Sequence, residues 1–160
     1  MKKKKITDDR RQFVEDLSVE SDFFGVPRMG GRILGWLSIS DPPYQTCDQI
    51  SEAVGGSKSS ISTLTRLLLQ RGLIEKVGVP HDRKIYFRIH KYWWAIVLKD
   101  RIEQTQHIKV IVMRALDTIG NQSVEVRQSL EQMGNYYECL DKELPALWQQ
   151  WLDANALGPL

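Results

Sequence analysis

The chain has 160 residues, 42% of them hydrophobic and 26% charged, with a formal net charge of +2. That composition belongs to a globular chain and excludes a disordered one. No apolar run approaches the roughly 18 residues of a membrane span, and the basic run Lys2 to Lys5 is followed by no apolar signal core, so a cytoplasmic location is expected.

Residues 6 to 24 read as the first helix. Thr7 is a candidate cap, Asp8 and Asp9 favour the positive end of the helix dipole, and Phe13, Val14, Leu17, Phe23 and Phe24 form an apolar stripe ended by Gly25. Pro27 suits the first position of a second helix containing Gly30, Gly31, Ile33, Leu34, Trp36 and Leu37. The paired glycines weaken helix propensity and point to close helix–helix approach. Ser40-Asp41-Pro42-Pro43 stops this helix.

Thr46 is placed to cap a short third helix through Val54, with Ile50, Ala53 and Val54 inward. Gly55-Gly56 then turns the chain, and Ser57 caps a fourth helix that runs to about Arg71 and stops at Gly72. Leu73–Val77 and Lys84–Ile89 are β-rich runs around a Gly/Pro/Asp loop, the pattern of a hairpin. Alternation puts Ile85, Phe87 and Ile89 on one face of the second strand. A long helix from Trp93 to Ile119, a break at Gly120-Asn121, a helix capped by Ser123 to about Leu140 and a continuation from Leu144 to Leu152 complete the chain, with a loose Gly158-Pro159-Leu160 tail. The predicted fold is mostly α with a small β-hairpin wing: a winged helix-turn-helix plus long N- and C-terminal dimerisation helices. Its parts are an N-terminal helix over 1–26, a DNA-binding unit over 27–91 and a helical dimerisation or effector region over 92–160.

Charge is unevenly spread. From Ser57 to Lys91 there are eight basic and two acidic residues, whereas from Lys99 onward nine acidic residues outnumber six basic ones. A local basic segment is the footprint of a polyanion partner. Within the fourth helix, Ile61, Leu64, Leu67 and Leu68 form the inward face. Ser59, Ser62, Thr63 and Arg66 lie opposite, with Lys58 at the edge and no carboxylate among them. Short hydroxyls let a helix sit deep in the major groove of duplex DNA and bond phosphates or base edges. Ser57 and Ser60 join them at the helix N-terminus, which favours anions, and Thr46 starts the buttressing helix. At the hairpin tip, His81, Arg83 and Lys84 are placed for a minor groove. Asp82 either orients Arg83 by an ion pair or shapes the turn.

The run Gly25–Leu37 resembles the first DNA-domain helix of the GbsR-type branch of the MarR superfamily. Ser57–Ser62 and Arg71–Val77 are similar to that family's recognition helix and first wing strand, and Arg83-Lys84 followed by Tyr86-Phe87 resembles its wing. The resemblance covers residues 20–91. It implies a winged-helix homodimer that represses or activates transcription, with the dimer made by helices outside the winged unit.

A reader this small needs two copies to span half-sites about 34 Å apart, so a palindromic operator and a homodimer are expected. Trp93, Trp94, Ile96, Val97, Ile108, Ile111, Val112, Ala115, Leu116 and Ile119 exceed a single apolar stripe and call for partners on more than one side. Tyr92, Trp93 and Trp94 are candidates for an effector site. Aromatic cages hold quaternary ammonium groups, and the resembling family includes regulators of choline and glycine-betaine metabolism. Interface and core packing is the competing use of these rings. His81, His90, His107, Cys47 and Cys139 show no metal-ligand spacing, and neither metal nor cofactor is expected. The two cysteines are read as reduced thiols, with a disulfide or redox switch left open. No phosphate loop, GxSxG or HExxH motif supports an enzyme. The remaining alternative is a winged-helix adaptor for protein contacts that never meets DNA.

Overall fold

The computed structural model describes residues 8–118 and 123–155. The expected Thr7 cap, the Lys2–Lys5 run, the Gly120-Asn121 break and the Gly158–Leu160 tail lie outside the described residues. The chain divides into two compact units, Met1–Val97 and Leu98–Leu160.

In the first unit, helix α1 spans Asp8–Val19 and passes into a single 3-10 turn at Glu20–Asp22. The helix is thus shorter than its apolar pattern implies. The chain tightens through Val26 N–H donating to the Ser21 carbonyl (3.1 Å) and turns at Gly25, whose φ is +62°. Val14 and Phe24 are buried, but Phe13 and Phe23 are 40% and 52% exposed and leave the expected stripe. The reason lies in α2, Arg28–Ile39. A Cβ on Gly31 would stand 2.9 Å from Ser21 Cβ and 3.0 Å from Ser18 Cα, and one on Gly35 would stand 3.2 Å from Val14 Cα. So close an approach selects serines, Ser18 on α1 and Ser21 in the 3-10 turn, and leaves no room for phenyl rings. Pro27 sits at the cap position just before α2, one place earlier than expected. Arg32 and Arg28 reach the Glu15 carboxylate at 2.8 and 3.7 Å and tie the two helices at their rim.

Helix α3 covers Cys47–Val54 and α4 covers Lys58–Gln70. Their inward faces meet α2 in one core: Ile33, Leu34, Ile50, Ile61, Leu68 and Leu73 are fully buried. Each such side chain contributes roughly 1.5–3 kcal/mol relative to an exposed one. Leu67, expected inward, is half-buried at the edge of this core. Gly72 ends α4 with φ +69°, and Leu73 N–H donates back to the Leu68 carbonyl at 3.0 Å. The Arg71 guanidinium donates at 2.6 Å to the carbonyls of both Phe24 and Gly25, so the end of α4 is tied to the α1–α2 connection.

Strands β1 (Ile74–Val77) and β2 (Tyr86–Ile89) pair antiparallel, with Ile74 opposite Ile89 and Val77 opposite Tyr86. Ile85 falls outside β2 and is 58% exposed, contrary to the alternation, while Phe87 is buried and Ile89 half-buried. A third edge joins the wing: Gln45 and Phe87 exchange two backbone hydrogen bonds of 2.8 Å.

Helix α5 spans Trp93–Thr118 and α6 spans Val124–Ala154. Ser123 caps α6 as expected, accepting from Val126 N–H at 3.4 Å. Instead of two segments, α6 is one helix of 31 residues with Pro145 inside it. Within the second unit, Gly134 of α6 approaches Val112, Met113 and Leu116 of α5, and Lys109 pairs with Asp141 at 2.8 Å. No helix among the described residues is long and apolar enough to cross a membrane.

Candidate nucleic-acid interface

Helices α3 and α4 are started by two side-chain caps. Thr46 Oγ1 accepts from Gln49 N–H (3.3 Å) while Gln49 Oε1 accepts from Thr46 N–H (2.8 Å), a reciprocal capping box. Gly55, at φ +70°, turns the chain. Ser51 Oγ then donates to the Gly56 carbonyl at 2.6 Å, and a Cβ on Gly56 would meet Ile61 Cδ1 at 2.8 Å. Both glycines of the turn are therefore used, one for its backbone angle and one for space. Ser57 caps α4 by accepting from Ser60 N–H at 3.2 Å.

The structure brings the expected reading residues to one surface. Ser57, Lys58, Ser59, Ser62, Thr63 and Arg66 are exposed, and Ser60 is half-buried. Arg66 lies back along the helix, its Nε donating to the Ser62 carbonyl (3.4 Å) and its Nη2 to Thr63 Oγ1 (3.5 Å). Thr65 on the same helix is 2% exposed, donates to the Ser62 carbonyl and lies 4.0 Å from Cys47 Sγ. Cys47 is half-buried, Cys139 exposed, and both are free thiols.

At the wing, His81 adopts φ +64° and is exposed together with Arg83 and Lys84. Asp82 shapes the turn. Its Oδ1 accepts from Lys84 N–H at 2.9 Å and its Oδ2 from the Tyr86 hydroxyl at 2.8 Å. The Lys84 N–H, then the Tyr86 hydroxyl, hold the Asp82 carboxyl below the usual aspartate value, and the same carboxylate pushes the Tyr86 phenol up. Tyr44 packs edge-on against Tyr86 with ring centres 5.3 Å apart. Between the start of α3, α4 and the wing lies an open cleft of about 630 Å³, walled by Thr46, Ser62, Arg66, Lys84 and Phe87 among others.

Two features were not visible in the sequence. One is the Tyr44–Tyr86–Asp82 support of the wing. The other is Asp48, whose Oδ1 pairs with Lys58 Nζ at 2.7 Å and holds that ammonium above the usual lysine value. No carboxylate lies on the exposed face of α4, but α3 delivers one to its edge.

The three aromatic candidates do not share one face. Trp93 packs edge-on against Phe24, centres 5.1 Å apart, beside the core. Trp94 is 43% exposed. Tyr92 carries the Lys91 ammonium 4.9 Å from its ring centre and lies near His90. Among the described residues no group of three or more His, Cys, Asp or Glu side chains is arranged to hold a metal ion.

Comparison with known proteins agrees with this geometry. Residues 24–85 match the MarR family model, and residues 93–154 match the model of MmpR5-like MarR family transcriptional regulators. The HTH-type transcriptional regulator MmpR5 of Mycobacterium tuberculosis is 30% identical over 125 residues, 78% of this chain and 76% of that one. The HTH-type transcriptional repressor OpcR of Bacillus subtilis is 28% identical over 81 residues, 51% of this chain and 43% of that protein. A crystal structure of a transcriptional regulator superposes with a TM-score of 0.70 at 26% identity, covering 91% of this chain and 99% of the other. Kinship of this extent sets aside both the adaptor and the enzyme readings. The chain belongs to the MarR family of winged-helix transcriptional regulators.

Proposed function

We propose that the protein is a cytoplasmic repressor that binds a palindromic operator as a homodimer. In this reading the exposed face of α4 enters the major groove and the wing tip the flanking minor groove. The observation that carries it is the gathering of Ser62, Thr63 and Arg66 on one exposed helix face, with Arg83 and Lys84 exposed on the wing. Thr46, Ser57, Lys58, Ser59 and Ser60 contribute at the helix starts, and His81 at the tip. The homodimer draws support from the second unit, where Val110, Ile111, Met113, Val124, Met133 and Tyr136 are all exposed. Apolar residues left in the open on long helices are what a partner copy covers. Functionally, residues 27–91 read DNA while residues 1–26 and 92–160 supply the dimer and any effector response.

Placement in the GbsR-type branch draws on the Gly25–Leu37, Ser57–Ser62 and Arg71–Val77 runs and the wing, whereas residues 93–154 match the MmpR5-like model. A quaternary ammonium effector at Tyr92, Trp93 and Trp94 draws support from Tyr92 alone, whose ring faces a cation, since Trp93 is engaged with Phe24.

The test is selection of bound sequences from a random duplex library. The expected product is a two-fold symmetric site with half-sites about 10 base pairs apart, centre to centre. Recovery of unrelated sequences with no symmetry would overturn the homodimeric operator reading.

A further inference from the structure

We propose that Asp48 sets how sharply this surface discriminates between sequences, by competing with the DNA backbone for Lys58. The proposal rests on the reading of the α4 face as the DNA-facing surface.

The two residues begin different helices. Asp48 is the second residue of α3, where the positive end of the helix dipole favours a carboxylate. Lys58 is the first residue of α4, where the same dipole disfavours a cation unless an anion is at hand. The turn at Gly55-Gly56 brings them together, Nζ to Oδ1 at 2.7 Å, and both side chains remain open to solvent, 78% and 72% exposed. Lys58 therefore already has an anionic partner in the free protein. A DNA phosphate arriving at the start of α4 has to displace the carboxylate.

The competition falls unequally on two kinds of complex. Sequence-independent binding is built from phosphate contacts alone, each releasing condensed counterions. In that loose complex a direct partner at 2.7 Å keeps the lysine. On the operator, contacts from Ser62, Thr63 and Arg66 to base edges hold α4 in place. A phosphate is then fixed at the helix N-terminus, where it competes well. The Lys58–phosphate contact is made on the correct sequence and withheld elsewhere. The exposed pair adds little to folding, so its removal tests binding and not stability.

The experiment measures binding of wild type, Asp48→Asn, Lys58→Met and the double variant to two duplexes of equal length, one random and one returned by library selection, across a salt series. For Asp48→Asn, random-duplex affinity is expected to rise about three- to tenfold and the log–log salt slope to steepen by about 0.9, the signature of one added phosphate contact. Affinity for the selected duplex should change less than about twofold, which lowers the specificity ratio. In the Lys58→Met background the gain should vanish. An unchanged random-duplex affinity, an equal rise on both duplexes, or a gain that persists without Lys58 would each overturn the proposal. The last two would point to simple loss of negative charge. Arg66→Ala and Arg83→Ala binding both duplexes as tightly as wild type would overturn the underlying placement of DNA on α4 and the wing. That failure is distinct from the Asp48 result.

Discussion

The hydroxyl of Tyr86 donates a 2.8 Å hydrogen bond to Asp82, so the first residue of β2 holds the turn that presents Arg83. The other Asp82 oxygen accepts from Lys84 N–H. Arg83 thus stands between two residues fixed by, or through, one carboxylate. Tyr86→Phe removes one of the two donors and leaves the ring against Tyr44. Duplex affinity should fall by about three- to tenfold, as expected for loss of one ordering hydrogen bond on a charged group, while the melting temperature stays near wild type. A fluorescence titration beside a thermal melt checks both. Affinity equal to wild type would mean the wing does not need this support.

The same pair fixes a pH window. Asp82 is lowered by the Lys84 N–H and Tyr86, so its contribution is present above the unfolded aspartate value of 3.8 and lost as pH falls through the lower folded value. Tyr86 is raised by Asp82, so its contribution is present below the unfolded tyrosine value of 10.0 and lost as pH rises through the higher folded one. The wing turn should therefore be constant between about pH 5 and about pH 9. Hydrogen-exchange protection of the Lys84 amide, corrected for intrinsic rates, is the readout, and a decline inside that window would contradict it.

Arg83 and Ser62 should fail differently. Arg83→Ala should weaken binding on all duplexes, by about two- to tenfold, with a shallower salt slope. Ser62→Ala or Thr63→Ala should act at particular base positions, about 1 kcal/mol where a base contact is lost and nearly nothing elsewhere. Binding arrays that vary each operator position separate the two patterns. Uniform effects from all three variants would remove the division between the helix and the wing.

Gly31→Val should destabilise the first unit by about 1–3 kcal/mol, because the added atoms would crowd the Ser18 backbone and the Ser21 side chain inside van der Waals contact. Gly55→Ala meets nothing within 4 Å, and its cost, about 1 kcal/mol, comes only from the left-handed backbone angle. Denaturant melts of the two variants test whether close helix approach outweighs backbone freedom.

In solution the mass should be twice the 18.5 kDa of the chain. Val110→Glu with Ile111→Glu, both on exposed positions of α5, should yield monomer without loss of helical signal. Light scattering and circular dichroism report the two quantities. A wild-type monomer at micromolar concentration would end the homodimer reading.

What was legible in the chain was local. The caps at Thr46, Ser57 and Ser123 and the stop at Gly72 are each decided within four residues, by side-chain oxygens or by a left-handed angle. The exposed face of α4 followed from helical period alone. Errors came where distant chain decides. Ile85 belongs to the alternation of β2 by pattern, but pairing begins at Tyr86 opposite Val77, so Ile85 stays in the loop. Phe13 and Phe23 match the stripe of α1, but the glycines of α2 determine what fits beneath it. The pattern reads as two segments, to about Leu140 and from Leu144, but α6 runs unbroken through Pro145 to the stacked pair Trp148 and Trp151 and on to Ala154. The Gln45–Phe87 bridge and the Asp48–Lys58 pair join segments that no period or motif connects.

Arg71 gives α4 a fixed heel. Its two bonds to Phe24 and Gly25 tie the C-terminal end of α4 to the α1–α2 connection, while Ile61 and Leu68 seat the helix in the core and Lys58 pairs with Asp48 at its start. A helix held along its length tilts only with the unit that holds it. Thirteen helical residues span about 20 Å, so a tilt of about 10° at Arg71 swings Ser57 by about 3 Å. In the proposed reading the end that meets DNA travels farthest, and a displacement of that size takes a side chain out of hydrogen-bond reach of a base edge.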